Sequence, residues 1–172
     1  MQHDTATTED LVEGAFRAHA GRLYGYVVSI LRRGADAEDV LQTVFADLLR
    51  SGERIRGVND LRAYLYRCAR NEALRFLRSR REEPRDDLEA LGHLVTSPQG
   101  RADEARDLSL ALAVLPDEQR EVLLLKLYHD MTFREIAELA GVPLQTAASR
   151  YRYGLDRLRD ILRGEEATNR DR

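Results

Sequence analysis

The residues from Thr132 to Arg150 concentrate the side-chain types with which a protein handles a polyanion. Gln145, Thr146, Ser149 and Arg150 supply amide, hydroxyl and guanidinium groups, which match the donors and acceptors of base edges and phosphates. Such groups read a duplex only when the first turns of a helix are offered to a groove, and the residues before them supply the frame. Thr132 and Glu135 stand at capping-box spacing: the hydroxyl accepts from the third helical amide and the carboxylate returns to the cap's own N–H. Gly141 provides a turn conformation that a side chain resists. Pro143 fits the first position of the next helix, where no amide hydrogen is needed. Ile136, Ala137, Ala140 and Val142 are small and apolar, so two helices can cross closely there. In this order the residues read as a helix-turn-helix, and DNA binding becomes the leading reading.

A net charge of −3 over 172 residues argues at first against a nucleic-acid partner. Its distribution argues the other way. Leu61 to Arg81 holds seven arginines against Glu72 alone, and Leu144 to Arg163 holds five against Asp156 and Asp160. The rest of the chain is therefore strongly acidic, and phosphates are met by local patches, not by the global sum. A basic helix is equally often a solvated face, so the pattern supports the reading without deciding it. With 43% hydrophobic and 33% charged residues the composition is that of a charge-rich globular protein, outside the range of disordered chains. No apolar run approaches the roughly 20 residues needed to cross a bilayer, and no signal pattern is present, so a cytoplasmic location without membrane insertion is expected. Cys68 is the lone cysteine and His3, His19, His93 and His129 are scattered, which leaves no disulfide frame and no metal-ligand spacing. No phosphate-cradling glycine loop or nucleophile elbow occurs, so neither an enzyme nor a cofactor is expected.

The fold class expected is all-α: two small helical domains joined by a flexible linker. Apolar residues recur every three or four positions, and no alternating run marks a strand. Leu11 to Leu31 reads as a first helix with a break near Ala20-Gly21, closed by Gly34. Asp36 then caps a helix with the buried stripe Val40, Leu41, Val44, Phe45, Leu48 and Leu49, and Gly52 ends it. Ser51 to Val58 reads as a loop, and Asn59 or Asp60 caps the basic helix. On that helix Leu61, Leu65, Cys68, Ala69 and Phe76 share one arc, with Arg67, Arg70, Asn71, Arg78 and Arg81 opposite. From about Glu82 the pattern dissolves at Pro84, Gly92, Pro98 and Gly100, with at most a short helix around Leu88 to Leu94. Helices near Ala105–Val114 and Pro116–Tyr128 lead into the helix-turn-helix. The expected domains are 8–82 and 104–164, with 83–103 as the linker.

Leu115-Pro116-Asp117-Glu118-Gln119-Arg120-Glu121-Val122-Leu123, Thr132 to Ala137, Val142-Pro143 and Thr146 to Arg150 resemble region 4 of bacterial RNA polymerase sigma factors of the sigma-70 family, most closely the extracytoplasmic-function (ECF) group. Ala37 to Phe45 independently resembles the core-binding helix of region 2, and Leu65 to Asn71 with Arg75 resembles the helix that melts and reads the −10 element. The resemblance covers nearly the whole chain in the family's order, and it implies a promoter-directing transcription initiation factor. Asp39, Gln42, Thr43 and Phe45 would meet the clamp coiled coil of the largest subunit of core RNA polymerase. Tyr64, Tyr66, Arg67, Arg70, Asn71, Arg75 and Arg78 would hold the melted −10 strand, together with the Ser51–Asp60 loop. Arginines there neutralise phosphate and aromatic faces stack on unpaired bases. Gln145, Thr146, Ser149, Arg150, Arg152 and Tyr153 would read the −35 duplex. The resemblance also implies an anti-sigma factor as a partner.

Three positions depart from the family's habit. Tyr64 stands where many members carry Trp, Thr43 where Glu is frequent, and Ala148 where Lys or Arg is common; Arg152 and Tyr153 compensate for the last one turn later. Several residues also have plainer readings. Phe45 fits the core as well as an interface. Tyr64 and Tyr66 point apart, so one of them reaches DNA. Glu135 is a capping residue, Tyr151 packs inward, Cys68 is a small buried residue, and Arg157, Arg159 and Arg163 form a solvated face. A polymerase-independent helix-turn-helix regulator is the alternative function, and a helical adaptor for an acidic partner a more distant one.

Overall fold

The computed structural model describes the backbone of residues 7–51, 55, 57–80 and 102–170, and the side chains of the same residues except 102–105 and 165–170. The proposed short helix at Leu88–Leu94, most of the linker, Gly52 and Arg81 lie outside them. Among the described residues there are seven α-helices and no strand. The chain divides into two compact units, Met1–Pro84 and Arg85–Arg172.

The first unit is built from α1 (Thr8–Leu31), α2 (Gly34–Arg50) and α3 (Leu61–Ser79), each packed on the other two. A capping box opens α1: Thr7 N–H donates to Asp10 Oδ2 at 2.8 Å and Asp10 N–H to Thr7 Oγ1 at 3.1 Å. The expected break near Gly21 is absent, and α1 runs through. Val12, Ala15, Leu23 and Tyr26 keep one buried stripe across it, and an exposed helical glycine costs only about 1 kcal/mol relative to alanine. The helix ends on Arg32 in the left-handed region (φ 58°), so Gly34 does not close this unit but begins the next helix. Gly34 is tightly placed there: a Cβ would lie 2.8 Å from the Tyr24 hydroxyl oxygen, so the tip of that side chain would have to shift.

Asp36 is likewise not a cap. It sits inside the first turn of α2, 7% exposed, with Arg80 Nη1 at 2.9 Å and Arg33 Nε at 3.7 Å from its carboxylate. The carboxylate therefore joins the start of α2 to the end of α3, and it lies where the helix dipole favours a negative charge. Asp60, not Asn59, caps α3 by accepting from Ala63 N–H at 2.9 Å. Leu65, Tyr66, Ala69 and Ala73 form the buried stripe of α3, which packs on both α1 and α2, with Tyr66 against Tyr26.

The second unit comprises α4 (Ala102–Ala113), α5 (Asp117–Leu127), α6 (Phe133–Ala140) and α7 (Leu144–Arg170). Its core joins Ala111, Leu112 and Leu115 to Leu123, Leu124 and Leu158. Helix α7 is the organising element, packed on α4, α5 and α6. Gly154 allows a close approach to α5. A Cβ there would lie 3.0 Å from Leu123 Cδ1 and 3.2 Å from Gln119 Cβ.

Candidate nucleic-acid interface

The helix-turn-helix comprises α6, a left-handed turn and the first turns of α7. Thr132 N–H donates to Glu135 Oε2 at 2.6 Å, Thr132 Oγ1 donates to the same oxygen at 2.7 Å, and Glu135 N–H returns to Thr132 Oγ1 at 3.2 Å. Glu135 is thus committed to the cap. The preceding turn is held by Asp130 in the left-handed region (φ 52°), a conformation short polar residues tolerate, and by Lys126 Nζ donating to Met131 O at 3.1 Å. Gly141 adopts φ 68°, ψ 36°, its N–H and that of Val142 both directed at Ala137 O. Pro143 precedes α7 instead of occupying its first position, and its carbonyl accepts from Thr146 and Ala147 N–H at 2.9 and 3.1 Å. Its ring suits that place because the missing amide hydrogen has no partner to serve.

Gln145, Arg152 and Tyr153 are exposed on α7, and Thr146, Ser149 and Arg150 are partly exposed. Arg152 lies over the Tyr153 ring, 5.0 Å from its centroid, and donates to its hydroxyl at 3.3 Å, so the two form one polar-aromatic surface. Tyr151 turns inward against Phe133, centroids 5.3 Å apart and nearly perpendicular. Arg150 differs from its neighbours: its Nη2 lies 2.8 Å from Glu118 Oε2 on the first turn of α5.

On the first unit, Arg67, Asn71, Arg75 and Arg78 are exposed along α3 and Arg70 and Tyr64 are half-buried, which gathers these residues on one helix. Tyr66 does not join them. It is 1% exposed and packs on Tyr26, centroids 5.2 Å apart, because its position falls on the core stripe beside Leu65 and Ala69. Its ring is not a stacking face. Arg75 pairs with Glu72 at 2.7 Å. Cys68 is half-buried, and burial raises its thiol pKa above the ordinary value, with smaller opposing effects from the Tyr64 hydroxyl and Arg67.

Asp39 and Gln42 are exposed on α2, while Thr43 is half-buried and donates to Asp39 O at 3.0 Å within its own helix. Phe45 is a core residue at 7% exposure, so its ring is not a docking face. What the sequence reading missed lies beside it: Phe16 is 52% exposed and meets Phe45 edge-on at 4.9 Å, and Leu49 is 49% exposed. The sequence places Leu49 in a buried stripe, and only the packing of α1 on α2 shows that Leu49 and Phe16 stay exposed at its margin. Also missed were Glu118, Gly154 and Arg120. The Arg120 guanidinium is buried between Leu115 O (3.2 Å) and Asp117 Oδ1 (2.6 Å). A glycine amid a strong helical pattern was a readable sign of close packing; the two ion-pair partners had none.

A helix-turn-helix on one helical unit and an arginine-lined helix on another define a two-part DNA-binding protein. Residues 15–83 match Sigma-70 region 2 and residues 111–160 match Sigma-70, region 4. The chain is 31% identical over 160 residues to the RNA polymerase sigma factor CarQ of Myxococcus xanthus, covering 90% of each protein. It is 29% identical over 154 residues to the ECF RNA polymerase sigma factor RpoE of Cereibacter sphaeroides, covering 84% of this chain and 82% of that one. Its fold matches that of the sigma factor RpoE of Bartonella quintana, solved with the anti-sigma factor NepR, at a TM-score of 0.73 and 20% identity over 88% of this chain and 96% of that one. The chain belongs to the sigma-70 family of RNA polymerase sigma factors, in its ECF group. It is a transcription initiation factor that joins core RNA polymerase and directs it to promoter DNA.

Proposed function

We propose that the two units divide the work by residue as follows. Residues 8–82 bind polymerase through Asp39, Gln42 and Thr43 and hold the melted −10 strand with Tyr64, Arg67, Arg70, Asn71, Arg75 and Arg78. Residues 104–164 read the −35 duplex with Gln145, Thr146, Ser149, Arg152 and Tyr153, and 83–103 is the linker between them. The observation that carries this reading is the pairing of a fully capped helix-turn-helix with exposed polar residues on the first turns of α7. Base-edge contacts come from that part of a recognition helix. The exposed guanidinium row of α3 supports strand capture: an opened strand offers phosphates to arginine and an unstacked base to Tyr64.

The protein acts by binding alone, without an enzymatic step of its own. Extruding a base costs a few kcal/mol, and contacts available only on the opened strand recover it, which favours the open complex. Its place of work is the cytoplasm; among the described residues no helix is long and apolar enough to cross a membrane. An anti-sigma factor holds it inactive, as the complex of the Bartonella quintana neighbour with NepR supports. The test is in vitro transcription with sigma-free core polymerase on a library of genomic promoters. Initiation at defined start sites is expected on adding the protein. Tyr64→Ala should abolish opening while leaving polymerase association unchanged, and no initiation across the library would defeat the reading.

A further inference from the structure

We infer that Arg150 serves −35 recognition as a positioning residue, clamped by Glu118 to α5, and not as a contact to DNA. The inference rests on the −35 reading of α7 and changes the role of one of its residues. At about 100° per residue, Ala147, Gly154 and Leu158 fall on one stripe of α7. All three are buried, and Gly154 lies against Gln119 and Leu123 of α5. Arg150 lies roughly 60° from the centre of that stripe, whereas Gln145, Ser149 and Arg152 lie about 140–160° from it on the far side. The Arg150 side chain accordingly keeps only 22% of its exposure and ends 2.8 Å from the Glu118 carboxylate.

The platform it grips is itself fixed. Arg120, buried to 1%, ties Asp117 to the carbonyl of Leu115 and so holds the first turn of α5 beside Glu118. The Glu118–Arg150 pair spans the α5–α7 seam just before the point where Gly154 lets the helices touch. Since α7 bears both this seam and the base-reading face, the pair sets the angle at which Gln145, Ser149 and Arg152 meet a groove. A guanidinium is suited to such a clamp because its planar fork loses little freedom on pairing with a carboxylate.

The test uses holoenzyme reconstituted from core polymerase and the full chain, with a −35 duplex selected by the unmodified holoenzyme from a random-sequence library. Selection of a duplex sequence upholds the −35 reading by itself, and the variants then decide the role of Arg150. Glu118→Ala and Arg150→Ala are each expected to lose roughly twofold to fivefold in affinity, the scale of an ion pair whose carboxylate faces water. The double variant should bind no worse than either, and the salt dependence of binding should keep its slope. The swapped pair, Glu118→Arg with Arg150→Glu, should restore most of the affinity although it puts a negative charge on the recognition helix. Glu118 is 68% exposed, so its variants fold, and matched unfolding midpoints and retained polymerase binding check this. The inference is overturned if Glu118→Ala tightens binding while Arg150→Ala lowers the salt slope by about one, the mark of a lost phosphate contact. It is equally overturned if the two losses add, if neither variant loses affinity, or if the swapped pair binds worst of all.

Discussion

Thr132→Ala removes half of a reciprocal cap from a helix of only 8 residues, and its consequences can be worked from the distances. The hydroxyl accepts from Glu135 N–H at 3.2 Å and donates to Glu135 Oε2 at 2.7 Å; both are lost, while the residue's own N–H still donates to the carboxylate. Thr132 is exposed, so water takes up the released groups and no buried-group penalty is added. The cost expected is that of an N-cap, about 1 kcal/mol within a range of roughly 0.5–2. Helices this short do not hold in isolation, so the loss falls on the packed unit as a whole. In a domain of 60–100 residues about 1 kcal/mol lowers the unfolding midpoint by roughly 4–8 °C. Circular dichroism of the full chain measures the midpoint, and amide hydrogen exchange over Phe133–Ile136 locates the effect. Thr132→Ser should behave as the parent, and below the transition Thr132→Ala should still bind duplex. If serine proves as damaging as alanine, or if exchange over α6 does not change, the cap is not what holds this helix in place.

The two tyrosines of α3 should separate cleanly. Tyr66→Ala, emptying a site packed on Tyr26, is expected to cost about 3–5 kcal/mol of first-unit stability, as other large aromatic truncations do; Tyr64→Ala should cost far less stability and act on opening. Urea unfolding compared with permanganate footprinting checks both, and equal destabilisation would contradict the burial pattern. Cys68 should alkylate more slowly than a free thiol at any pH below its raised pKa, because the thiolate is the reactive form and burial disfavours it. Iodoacetamide rates across pH should therefore climb only on a more alkaline limb than those of a model thiol, and a rate matching the free thiol would show the site to be open.

What was legible in the sequence is what is local. The capping box of α6, the turn at Gly141 and the inward turn of Tyr151 each depend on spacing within one or two helical turns, which side-chain types register directly. The errors came where a distant residue overruled a local signal. Asp36 has a capping residue's chemistry, yet Arg80, 44 positions away, draws it into a part-buried pair. Gly34 looks like a helix end because glycine usually marks one, whereas it opens the next helix with the Tyr24 hydroxyl close against it. For Tyr66 the resemblance implies a base contact from its place in the motif, and the helical period says only that Tyr64 and Tyr66 point apart. Which of the two turns inward is set by the packing that puts Tyr66 on the stripe of Leu65, Ala69 and Ala73, against Tyr26.

Counting arginines also treats as equal two kinds of charge that differ in availability. Arg75 and Glu72 pair three residues apart on one helix, with Arg75 66% exposed and Glu72 18%. The Arg75 guanidinium carries five N–H donors and faces water, so it can meet a phosphate without giving up Glu72. Arg80 is different, because it joins α3 to α2 through Asp36, whose side chain keeps only 10% of its exposure; withdrawing the guanidinium would leave a carboxylate poorly solvated at the joint of the two helices. Arg80 should therefore stay with the fold when DNA arrives, and Arg120, enclosed by Asp117 and Leu115, more firmly still. The positive surface that meets nucleic acid is thus smaller than the seven arginines of Leu61–Arg81 imply, because Arg80 is held across two helices.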